Sequence, residues 1–149
     1  MNENHNPIDE DSFFSIKSTP KYRQLFAAKL EDFASIRSGI DSVFENNTDI
    51  AIEHDLEHDQ ITFTYANVRI RLKLLVGISG DAIRGRVICT HEYQRLRKDE
   101  AYFLGEFLLD ERGVTNLVDS NGNRLKSKLH ADLIVSHYLA KALQHNMDI

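Results

Sequence analysis

His54-Asp-Leu-Glu57-His58 spells H-x-x-E-H, the spacing of an inverted zinc-peptidase motif. That chemistry needs both histidines on one face of a helix, with the glutamate placed to activate a zinc-bound water. Here the five residues fall in an alternating segment, Ile50-Ala-Ile-Glu-His-Asp-Leu56, and in the turn after it. In a strand, side chains four residues apart stand ~13 Å apart and cannot share one ion. His54 takes the inner parity beside Ile52 and Leu56, His58 falls in the loop, and no third ligand stands at a suitable spacing. The stretch reads as a charged hairpin.

The remaining chemical signals dissolve in the same way. His130 and His137 share a face of the final helix two turns apart, ~10 Å, too far for one ion. They and His145 read as solvated or hydrogen-bonded side chains. His91 takes an inner position opposite Ile70 and reads as partly buried, satisfied by backbone or by the Tyr93 hydroxyl. Asp119-Ser-Asn121-Gly-Asn123 has the composition of a calcium loop, but an EF-hand needs glycine sixth and glutamate twelfth, where Arg124 and His130 stand. Val76-Gly-Ile-Ser-Gly80-Asp joins two strands and lacks the lysine and helix of a phosphate loop. Ser79 and Ser136 have no neighbouring base, and Cys89 reads as a small core hydrophobe. The sequence therefore predicts no catalytic residue, no cofactor and no bound metal.

Composition narrows the class further. The chain has 149 residues, 42% of them hydrophobic and 28% charged, which suits one soluble domain. A formal net charge of −5 argues against general nucleic-acid affinity. One cysteine permits no intramolecular disulfide, no apolar run approaches the ~20 residues of a membrane span, and the polar, acidic start is unlike a signal peptide. A cytoplasmic protein with no membrane role is the expectation.

The elements that must carry any site follow from periodicity. Residues 1–18 read as a flexible acidic tail holding Phe13, Phe14 and Ile16, and residues 19–149 as a single domain. Thr19-Pro20 reads as the cap and first position of a helix running to about Glu45, striped by Tyr22, Phe26, Phe33, Ile36, Ile40 and Val43, with a weak point at Gly39. An antiparallel meander follows. Its turns predict Tyr65 paired with Val68, Leu56 with Ile61 and Leu74 with Val87, and each register sends apolar residues to one face. Residues 101–109 read as a further strand, with Phe103, Phe107 and Leu109 inward, though a short helix is the alternative. A hairpin turns at Asn121-Gly122, and Ser127 caps a last helix whose stripe holds Leu129, Leu133, Ala140 and Leu143, widened by Ile134, Tyr138 and Ala142. The class is α+β: a meander sheet of about five to six strands, one face covered by a long N-terminal and a C-terminal helix, the other charged. A half-barrel curled around the last helix is the runner-up.

That architecture suggests three surfaces. Arg69, Arg71, Lys73, Arg84 and Arg86 project from the charged face, partly balanced by Glu53, Asp55 and Glu92. No aromatic side chain is expected beside them, so a nucleic-acid platform is the weakest reading. A first helix ~39 Å long overhangs strands of ~20–24 Å, which places Tyr22, Leu25, Phe26 and Leu30 at a homodimer interface. Phe63, Tyr65, Phe103 and Tyr138 would line a ligand pocket between sheet and last helix. The leading expectation is a non-enzymatic module that binds a protein partner and forms a homodimer; small-ligand binding and nucleic-acid accessory roles are the alternatives.

Overall fold

Residues 7, 8, 10–36, 44, 49–80 and 82–149 are described by the computed structural model. Helix α1 spans Asp11–Leu30 and tightens into a 3₁₀ turn over Glu31–Ser35. Seven strands follow: β1 (Ile50–Asp55), β2 (Gln60–Tyr65), β3 (Val68–Ser79), β4 (Ala82–Arg95), β5 (Lys98–Leu109), β6 (Val114–Val118) and β7 (Arg124–Lys126). Helix α2, Ala131–Asn146, closes the chain. The strands pair antiparallel in chain order, so the α+β meander is a curled sheet with slightly more strands than expected.

The first helix begins earlier and ends sooner than its apolar stripe suggests. Asp11 favours the start electrostatically, and residues 11–18, expected in the flexible tail, form the first two turns. Pro20 is therefore interior rather than first; the carbonyl of Ile16 has no amide to bond there. One residue earlier, Thr19 Oγ1 donates to the carbonyl of Ser15 at 2.8 Å. The helical path leaves α geometry after Leu30, where Phe33 and Ile36 turn into the core. Gly39, Ile40 and Val43 lie outside the described residues.

Phe26 docks α1 on the sheet at a glycine. A Cβ placed on Gly85 would stand 3.0 Å from the Phe26 ring and 2.8 Å from the Leu109 carbonyl oxygen. Phe26 and Leu30 are fully buried in their own chain, with Tyr22 partly buried and only Leu25 exposed. Phe26 and Leu30, expected at a homodimer interface, are core side chains instead.

Two strand registers are as the turns predict. Tyr65 pairs with Val68, Phe63 with Ile70 and Leu74 with Val87. The β1–β2 register differs by two residues, since Ile52 pairs with Phe63 and His54 with Ile61. Leu56, Glu57 and His58 form a 3₁₀ turn closed by Asp59 at φ 51°, so Leu56 is exposed and unpaired. A slip of two preserves parity, and the inner face stays apolar.

Strand β5 breaks parity. The β4–β5 register shifts between Cys89 and Thr90, so Cys89 pairs with Gly105 but Thr90 with Phe103. Leu104 is the extra residue of a β-bulge, buried where Phe103 was expected, and Phe103 turns to the outer face at 56% exposure.

Helix α2 is rotated from the expected stripe. Its buried residues are Ala131, Ile134, Val135, Tyr138, Leu139 and Ala142, while Leu133 and Leu143 face outward. The Tyr138 ring packs on Gly105, where a Cβ would lie 3.0 Å from it, and this contact sets the rotation. Ser127 precedes the helix by four residues and does not cap it. Its hydroxyl donates to Asp32 Oδ2 at 2.7 Å, tying the end of β7 to the turn after α1.

Candidate functional site

The H-x-x-E-H residues occupy strand β1 and its turn. His54 Nδ1 lies 3.3 Å from Glu31 Oε2 at the rim of the inner face, and His58 Nδ1 lies 2.8 Å from Asp55 Oδ2. Hydrogen bonds from Gln60 and then His58 hold the Asp55 carboxyl below its ordinary pKa. The two imidazoles thus belong to separate local contacts.

The basic face is present but largely matched in charge. Arg69 meets Glu53 at 3.5 Å, Arg71 meets Glu92 at 3.1 Å, and Arg86 bonds Glu106. Asp55, one of the expected counter-ions, is engaged with His58 instead. Such exposed pairs leave little net field for a polyanion. The expected absence of an aromatic group on this face is corrected by the bulge: Arg71, Thr90 and Phe103 lie in one cross-strand row.

The four residues proposed to line one pocket are divided between two faces. Phe63 and Tyr138 are fully buried on the inner side, Tyr65 is partly buried there beside Phe44, and Phe103 is outside. Tyr138 fills the space between α2 and β5, lying against Gly105 and stacked on Phe107 with centroids 6.2 Å apart.

What the bulge assembles instead is a free strand edge. β6 pairs with β5 only at Leu109↔Thr115. Beyond it the Asn116 side-chain oxygen takes the Leu108 amide at 2.8 Å and ends the ladder. Lys141 Nζ donates to the Leu104 carbonyl at 3.2 Å, covering the bulge. Lys98 through Phe103 therefore present one edge of backbone with no neighbouring strand among the described residues. Ala101, Tyr102 at 47% exposure and Phe103 flank that edge. Beside it an open groove of about 660 Å³ is lined by Arg69, Arg71, Glu92, Gln94, Asp99 and Glu100. The Arg71 Nε–H is buried there with no hydrogen-bond partner among the described residues.

Histidines fasten the helix behind this edge. His91, fully buried on β4, places its Nδ1 2.8 Å from Nδ1 of His145 on the last turn of α2. The Tyr102 ring stacks on His145 at 3.6 Å, and Tyr93 touches both imidazoles while its hydroxyl donates to Glu100 at 2.8 Å. His91 was expected to find backbone or Tyr93, so the partner is a correction. Burial and the nearby His145 lower the His91 pKa.

Periodicity alone missed Tyr102 and Lys141, and it named His145 without its partner on β4. The available signal was Tyr102-Phe103-Leu104, three consecutive apolar residues before Gly105, which no strictly alternating strand accommodates.

The chain matches no known protein-family model, and comparison with curated proteins and with solved structures finds no significant match.

Proposed function

We propose that this protein is a non-catalytic protein-interaction module that receives an extended polypeptide segment along the Lys98–Phe103 edge of β5. The observation that carries this reading is the unpaired edge flanked by exposed aromatics. An added strand would gain main-chain hydrogen bonds from the edge, and its alternate side chains would meet Tyr102 on one face and Phe103 with the polar groove on the other. Long flat edges invite indiscriminate pairing, and here the bulge and Lys141 limit the accessible run to about six residues, which restricts what fits.

A photo-crosslinking amino acid at Phe103, with Glu57 as control position, tests the reading in cells of the native host. A protein adduct from position 103 alone is expected. The captured segment, made as a peptide, should then slow amide exchange across residues 98–103. Adducts to nucleic acid, equal adducts from both positions, or a peptide that leaves those amides unprotected would overturn the proposal.

A further inference from the structure

The last turn of α2 is held chiefly through one side chain. Beyond Ala142 no residue of the helix is fully buried, and Leu143, Gln144 and Met147 are exposed. His145 reaches into a ring of aromatics: its imidazole lies edge-on to His91 at 5.1 Å, meets Tyr93 at 5.3 Å and stacks on Tyr102 at 3.6 Å. A helix end with so few buried apolar contacts opens more readily than the sheet beneath it.

The contact that fixes His145 is sensitive to how many protons it holds. Its Nδ1 lies 2.8 Å from Nδ1 of His91, which is fully buried on β4. With neither imidazole charged, one Nδ1–H donates to the lone pair of the other. A first added proton settles on Nε2 of the donating ring and leaves that bond in place. A second proton puts a hydrogen on both Nδ1 atoms and sets two cations against each other, and the contact cannot survive it.

The surroundings do little to relieve that repulsion. On β3, His91 pairs with apolar Ile70. Glu92 on β4 projects to the outer face, where it takes Arg71 at 3.1 Å. On β5 the Glu100 carboxylate accepts the Tyr93 hydroxyl, and Tyr102 offers only a ring face. One turn before His145 on α2, Lys141 brings a further cation, its Nζ resting on the Leu104 carbonyl.

We infer that His91 and His145 form an acid-opened latch: double protonation parts the imidazoles, frees the last turn of α2 and removes the ring that supports Tyr102 beside the strand edge. That opening the latch weakens capture of an extended segment rests on the strand-edge reading; the latch itself does not.

Native-state amide exchange of the full chain tests it with no segment bound, so its failure would leave the strand-edge reading standing. Opening takes up a proton that the closed pair refuses. After correction for intrinsic exchange, protection of residues 143–147 should therefore fall about tenfold per pH unit below the ordinary histidine value of 6.5. Low urea should leave those rates unchanged, because a freed helix turn exposes little surface, whereas β3 amides should quicken with urea. His91→Phe should abolish the pH response. His145→Gln serves as well should that variant not fold: its side-chain oxygen accepts from a protonated His91, so the contact persists in acid and protection stays level. Protection of 143–147 that ignores pH, that falls only in step with β3 under urea, or that keeps its pH slope in His145→Gln would overturn the inference.

Discussion

The Nδ1 atoms of His91 and His145 face each other at 2.8 Å across the junction of β4 and α2. Such a contact requires one nitrogen to carry a proton and the other to be bare, so the bonded pair holds at most one positive charge. The groups around it are Tyr93 and Glu92 on β4 and Glu100 and Tyr102 on β5. Glu92 raises the His91 pKa, but burial and His145 outweigh it and the net shift is downward.

Stability should consequently fall on acidification. Below the ordinary histidine value of 6.5 the unfolded chain takes up a proton at position 91 that the folded chain refuses. The loss begins as pH drops through that value and continues until the lowered folded pKa is reached. Urea unfolding midpoints at pH 7.5 and 5.5 should differ, and His91→Phe should shrink the difference. An equal pH slope in the variant would remove His91 from this role.

Gly85 should tolerate no side chain. A Cβ there meets the Leu109 carbonyl at 2.8 Å and the Phe26 ring at 3.0 Å, and the carbonyl is held in the β4–β5 ladder. Gly85→Ala is expected to cost about 1–3 kcal/mol by overpacking. Its signature should be faster amide exchange in α1 and around the Gly85–Leu109 pair, with the β2–β3 ladder protected as before.

The β4–β5 turn should improve on substitution. Leu96 and Arg97 sit at φ 52° and 65°, a conformation that side chains with a Cβ disfavour, and Leu96 is 88% exposed with no packing to lose. Asn-Gly is the dipeptide such a two-residue hairpin prefers. Leu96→Asn with Arg97→Gly should stabilise the fold by about 1 kcal/mol, seen as a higher denaturant midpoint at unchanged slope.

What could be read from the residues alone depended on how local the deciding contact was. Ala66-Asn67 is a two-residue turn between alternating runs, so the Tyr65–Val68 register followed directly. The turn after β1 carries Asp59 in a left-handed conformation with no glycine to announce it, and the register there slipped by two while the buried face remained right. The rotation of α2 was not legible, because that helix is apolar on nearly all sides. Tyr138 on Gly105 and His145 on His91 decide it, and both contacts join segments more than thirty residues apart. The candidate edge depended on the same kind of contact: Phe103 could be placed only once Leu104 was known to bulge.

That bulge can be tested with two phenylalanines on one strand. Phe103 and Phe107 share parity, so an uninterrupted β5 would bury both equally. Instead Phe107 is fully buried against Phe33 and Tyr138, while Phe103 is outside. Phe107→Ala should cost about 3–5 kcal/mol, as removal of a core ring does. Phe103→Ala should stay within about 0.5 kcal/mol, the range of an ordinary surface change. Denaturant unfolding of both variants measures the contrast, and two comparable losses would mean that Phe103 faces the core. If the asymmetry holds, Phe103→Ala becomes the useful variant of the pair: a folded protein from which one exposed aromatic flank of the strand edge has been removed, suited to asking whether a captured segment still binds.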